Sequence, residues 1–168
     1  MVEKKPILID SCIINYLLSN ETDLAAETIS FLEDLLKYEN ELYVSEFTHH
    51  EVLRGASETK AQKAKELLKT FATVPQSPQR LKRATQLYNA YNNNEKTRNS
   101  LNSISDIDVF IGSLIFTSNK ALLLTADYHD FPRPFFKEIE NTRIEYGKIR
   151  GNKSCQYYYL LEANLESI

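Results

Sequence analysis

Pro6-Ile7-Leu8-Ile9-Asp10 decides the fold: a short apolar run with neither helical period nor alternation, ending on a carboxylate. Such a run reads as a strand buried on both faces, as in a parallel sheet sandwiched between helices. Ala121-Leu122-Leu123-Leu124-Thr125 repeats the pattern and again ends near a carboxylate, Asp127, while Leu42-Tyr43-Val44 is a further short strand. Helical spacing fills the intervals. A segment from Ile13 to Leu18 follows the first strand. A helix from about Leu24 to Tyr38, capped by Thr22 and Asp23, turns Ala25, Ile29, Leu32, Leu35 and Leu36 inward. Ser45, Thr48 and Glu51 offer helix starts for a segment that stops at Gly55, and further helices run from about Ser57 to Phe71, Gln79 to Asn92 and Asp106 to Ser118. Val74 precedes a connection at Pro75-Gln76-Ser77-Pro78, Asn92-Asn93-Asn94 reads as a turn, and Gly112 suggests close packing. Strands joined by helices predict an α/β fold with a central, mostly parallel sheet covered on both faces.

With 168 residues the chain is expected to form one domain, 1–168. Hydrophobic residues at 42% and charged residues at 26% exclude a disordered or low-complexity chain. The net charge of −3 excludes a basic architectural DNA-binding protein, but not a nuclease. Cys12 and Cys155 make neither a disulfide framework nor a zinc spacing, which suits a reducing compartment. Glu3 and Asp10 interrupt any signal-peptide core, and no apolar run approaches the roughly 20 residues of a membrane span, so a cytoplasmic location without a membrane partner is expected.

In open parallel sheets, ligands bind beyond the carboxyl ends of the strands. Asp10 and Asp127 follow two such ends, Glu51 lies early in the helix after the second strand, and Asp108 opens the helix before the strand that delivers Asp127. Clustered carboxylates repel one another unless cations neutralise them, and an oxygen-only set without His or Cys suits Mg²⁺ or Mn²⁺. One or two such ions can activate water for phosphodiester hydrolysis.

Ile7-Leu8-Ile9-Asp10-Ser11, Glu51-Val52-Leu53-Arg54-Gly55-Ala56, Asp108-Val109-Phe110-Ile111-Gly112 and Thr125-Ala126-Asp127-Tyr128-His129-Asp130-Phe131 occur in the order of the PIN-domain family, including VapC-like toxins, and the chain resembles that family over roughly residues 7 to 131. The resemblance implies a three-layer α/β/α PIN-like fold and a metal-dependent ribonuclease. It makes Asp10, Glu51 and Asp108 the catalytic, metal-binding core, with Asp127 and Asp130 sharing a fourth role, Mg²⁺ or Mn²⁺ as cofactor and RNA as substrate. Thr125 or Ser11 would orient the carboxylates. Similarity to VapC-like toxins further implies a toxin role, a protein antitoxin and a homodimer. Three departures stand out. Cys12 replaces an Asn the family often has and is expected to remove a polar support. Gly112 replaces the commoner Ala, expected to be harmless, and a C-terminal extension of about 137–168 has no assigned role.

Simpler accounts compete at each position. Asp10 can cap the following helix, Glu51 can complete a capping box with Thr48, and Asp106 and Asp108 are first-turn acids behind Ser105, of which Asp108 is taken as the ligand. His129 reads as a loop residue, and Tyr157-Tyr158-Tyr159 reads more simply as an aromatic strand than as a base-stacking surface. Cys12 stands where a dehalogenase-type phosphatase would place a second Asp. The same residue sustains the alternative function, an RNA-binding or scaffold module with an incomplete, inactive site.

Overall fold

A computed structural model describes residues 5–38, 40–99, 103–117, 121–149 and 152–167. In chain order the elements are β1 (Pro6–Ile9), α1 (Ser11–Leu17), α2 (Thr22–Lys37), β2 (Glu41–Ser45), α3 (Glu46–Leu53), α4 (Glu58–Leu68), β3 (Ala72–Val74), α5 (Pro78–Asn93), α6 (Glu95–Arg98), α7 (Asp106–Ile115), β4 (Leu122–Thr125), β5 (Phe136–Ile149) and β6 (Asn152–Ala163). One six-stranded sheet has the order β3-β2-β1-β4-β6-β5, parallel from β3 to β4, with β6 and β5 added antiparallel. Among the described residues no helix is long and apolar enough to cross a membrane.

The apolar runs behave as their pattern requires. Ile7, Ile9, Leu122 and Leu124 enter one core with Ile13, Ile14 and Leu32, whereas Leu8 and Leu123 enter the other with Leu87, Tyr91, Ile111 and Leu114. Adjacent residues of one strand thus feed opposite cores, and helices cover both faces in three layers.

Some boundaries differ from expectation for identifiable reasons. On α2 the buried positions are Leu24, Thr28 and Leu32, while Ile29 and Leu36 are about half exposed. The Thr28 hydroxyl survives burial because it donates to the Leu24 carbonyl at 2.7 Å and meets the Tyr158 hydroxyl at 2.6 Å. Glu21, without a side-chain bond, occupies the cap position expected of Thr22 or Asp23. Asn92 and Asn93 belong to α5, and Asn94 alone makes the break by capping α6. β3 was not anticipated, because three largely exposed residues before Pro75 carry no periodic signal. Ser118, expected to end a helix, lies outside the described residues.

The C-terminal segment supplies two strands of the sheet. β6 lies between β4 and β5, with Leu161 buried in one core and Tyr158 in the other. Phe136, the first residue of β5, also explains Gly112: a Cβ there would lie 2.8 Å from Phe136 Cζ and 3.3 Å from Phe131 Cδ1. Phe136 is fully buried and edge-on to Phe116 and Phe131, so its ring has little freedom to retreat. The exchange of Ala for Gly is therefore not neutral in this chain. Gly112→Ala gains about 1 kcal/mol of helix propensity but incurs an overpacking cost of about 1–3 kcal/mol. Urea denaturation is expected to show a net loss, relieved when Phe136→Leu is added.

Candidate metal centre

The site starts where β1 stops. Ile9 is in register with Leu124, and the Asp10 amide donates to the Leu124 carbonyl at 3.0 Å, which carries the parallel ladder one bond past the strand. Asp10 is extended and caps α1, Oδ1 accepting from the Ser11 amide at 2.7 Å. Oδ2 accepts from the Thr125 hydroxyl at 2.7 Å and from the Cys12 thiol at 3.1 Å. Thr125 and Ser11 thus both orient this carboxylate. Cys12 supplies a polar contact rather than removing one: its Sγ also accepts from the Ala126 amide at 3.2 Å, tying the loop after β4 to α1.

Glu51 sits in the second turn of α3, whose N-cap is Ser45, the side chain accepting from the Thr48 amide at 2.9 Å. This overturns the capping-box account of Glu51. Its Oε2 is instead buried without a hydrogen-bond partner, a costly condition for a carboxylate oxygen. Asp108 serves the helix and the cluster together. Oδ2 accepts from the Ser105 amide at 3.1 Å and the Ser105 hydroxyl at 2.6 Å, and the Asp108 amide donates back to that hydroxyl. This capping box holds the carboxylate at the N-terminus of α7.

Carboxylate oxygens of Asp10, Glu51 and Asp108 all lie within 4.8 Å of one another. Burial, reinforced by Asp108, pushes the Asp10 carboxyl up to about 6 in spite of its hydrogen bonds. Asp108 is raised by burial and by Asp127. Asp130 is pushed up to about 7, first by burial and then by Asp108, Asp127, Asp10 and Glu51, so it shares the electrostatic field of all four. Asp127 is more exposed, and its Oδ1 accepts from the His129 amide at 3.2 Å to cap the 3-10 turn Tyr128–Asp130. His129 itself is exposed.

Tyr91 was not anticipated here. Its fully buried hydroxyl has no hydrogen-bond partner and feels Asp108 and Asp130, while its ring packs 4.7 Å from Phe135. In the sequence it reads only as the next core position after Leu87.

The donor set is all oxygen, compact and short of positive charge, and Glu51 Oε2 lacks a partner; these features fit a hard divalent cation. Without a cation the raised carboxyls set a pH dependence. A carboxyl whose folded value exceeds its ordinary 3.8 adds stability at low pH that is lost as pH rises through the folded value, here about 6 for Asp10 and about 7 for Asp130. In the presence of a chelator, thermal melting is expected to show a lower Tm at pH 8 than at pH 5, with a smaller difference in Asp130→Asn. Equal fall in wild type and variant would contradict the assignment of Asp130 to the cluster.

The crystal structure of VapBC2 from Rickettsia felis bound to a DNA fragment from their promoter contains a chain similar to this one, with a TM-score of 0.53 and 17% identity, over 76% of this chain and 93% of that one. At that identity the likeness is one of fold. Among curated proteins none matches significantly. The PIN domain family model matches residues 7–135, from the first buried strand to the turn before β5, and the chain belongs to the PIN domain family.

Proposed function

We propose that this protein is a metal-dependent ribonuclease that hydrolyses RNA phosphodiester bonds. The observation that carries the reading is the convergence of Asp10, Glu51 and Asp108, far apart in sequence, with a Glu51 oxygen buried and unpartnered. These three would hold Mg²⁺ or Mn²⁺, with Asp127 and Asp130 sharing a fourth position. Bound there, the cation would activate water and offset the charge that develops in an in-line displacement.

The chain's own groups are arranged to keep that set of oxygens in place. Thr125, Ser11 and Cys12 hold both oxygens of Asp10, and Ser105 holds one oxygen of Asp108. Cys12 is poorly suited to nucleophilic attack, because burial and Asp10 push its thiol well above the usual range. The proposed step is direct attack of water on the phosphodiester, without a covalent enzyme intermediate. The scaffold alternative rested on Cys12 as a missing support, and the bonds Cys12 makes to Asp10 and Ala126 weigh against it.

The likeness to VapBC2 supports extending the reading to a toxin restrained by a protein antitoxin, and a homodimer and a cytoplasmic location complete the proposal. Light scattering and co-expression with the product of the neighbouring gene check the homodimer and the antitoxin.

Asp108→Asn is the informative substitution, since an amide oxygen can still accept from Ser105 and preserve the cap while the charge is lost. Wild-type protein is expected to cleave RNA with Mn²⁺ and not with chelator, and the variant to lose at least about 100-fold in rate while melting as a folded protein. RNA binding without cleavage, indifferent to Mn²⁺ and to the substitution, would contradict the proposal.

A further inference from the structure

The β5/β6 hairpin extends past the sheet that it completes. β4 pairs with β6 from Leu122 opposite Glu162 to Thr125 opposite Tyr159, where β4 ends. Beyond that point β6 continues in register with β5, Tyr157 opposite Arg143 and Cys155 opposite Glu145. The distal hairpin therefore rises from the strand end whose Thr125 holds Asp10.

Its two faces differ. Tyr158 turns toward the α1/α2 layer, stacked at 6.0 Å on Tyr16, edge-on at 5.3 Å to Phe31 and bonded to Thr28. Tyr157 and Tyr159 turn to the other face, with ring centroids 6.5 Å apart and planes 25° from parallel. Tyr128 continues the series, 5.2 Å from Tyr159 at 31°. The Arg133 guanidinium lies 5.6 Å over the Tyr128 ring. Three rings in successive contact thus lead from Tyr157, which is 42% exposed, to Tyr128, which sits in sequence between Asp127 and Asp130.

Cations flank both ends of this series, and at the Tyr128 end Glu138, Glu162 and Glu166 line the same cavity as Arg133. Arg143, across from Tyr157, and Lys153 both contact the single carboxylate of Glu145, at 3.1 and 3.2 Å, and Arg133 stands at the other end. Rings recruited only for the core would be buried, as Tyr158 is. Half-open rings beside cations, continuous with a phosphodiester-cleaving site, match unpaired bases on a phosphate backbone, because base faces are free for stacking only in a single strand.

We propose that Tyr157, Tyr159 and Tyr128 form a stacking platform for the bases of single-stranded RNA and lead the strand to the acidic cluster. The platform rests on the ribonuclease reading, and binding and cleavage are measured apart so that each can fail alone. Binding is followed in chelator by fluorescence anisotropy with a labelled single-stranded RNA of about 12 nucleotides, long enough to span a few stacked bases. The same sequence as a duplex and a ribose-phosphate strand lacking bases serve as comparisons. Tyr157→Ala is expected to weaken the single strand about tenfold and Tyr157→Phe less than about twofold, because phenylalanine keeps the stacking face. Neither should alter binding of the strand lacking bases. Tyr157 is exposed enough for the alanine variant to stay folded, which melting verifies.

Unchanged single-strand affinity in Tyr157→Ala, or an equal loss on the strand lacking bases, would overturn the platform, and a protein would then be the better occupant of this face. Tyrosine-dependent binding without Mn²⁺-dependent cleavage would uphold the platform and overturn the ribonuclease reading. Cleavage with tyrosine-independent binding would do the reverse.

Discussion

The structure depends on holding one carboxylate in a place where burial opposes its charge. Asp10 is 3% exposed at the end of β1, and desolvation alone would favour the neutral acid. Parallel pairing of β1 with β4 puts Thr125 beside it, the start of α1 brings the Ser11 amide, and Cys12 adds its thiol. Each donor comes from a different consequence of the same apolar runs. Loss of register by one residue would turn the strand side chains to the opposite cores and take Thr125 away from Asp10.

The other acids follow from this anchor. α3 and α7 carry Glu51 and Asp108 to the same edge, and the raised values of Asp10, Asp108 and Asp130 record the repulsion and burial that result. The fold therefore stores an electrostatic cost that a divalent cation would offset. The overall charge of −3 belongs partly to this cluster. With the five acids set aside the balance of the chain turns slightly positive.

Much of this was legible in the sequence, because burial on both faces leaves a signature in runs such as Ile7-Leu8-Ile9 and Leu122-Leu123-Leu124 that needs no tertiary information. Glu51 and Asp108 could be placed at early helical positions by their caps. What escaped were properties that depend on partners distant in sequence. Cys12 looked like a lost support because a thiol's hydrogen bonds to Asp10 and Ala126 cannot be read from its type. Gly112 looked interchangeable with alanine because Phe136, 24 residues later, defines the space above it. Tyr157 and Tyr159 read as ordinary strand residues, because the contact of Tyr128 with Tyr159 comes from another element.

Under the proposed function, Asp10, Glu51 and Asp108 together bind a divalent cation. Anomalous diffraction from crystals soaked in Mn²⁺ tests it most directly. An anomalous peak among these three carboxylates, contacting Glu51, is expected, with no such peak in crystals of Asp108→Asn treated alike. A wild-type map with no peak there, or with Mn²⁺ bound only elsewhere on the surface, would contradict it.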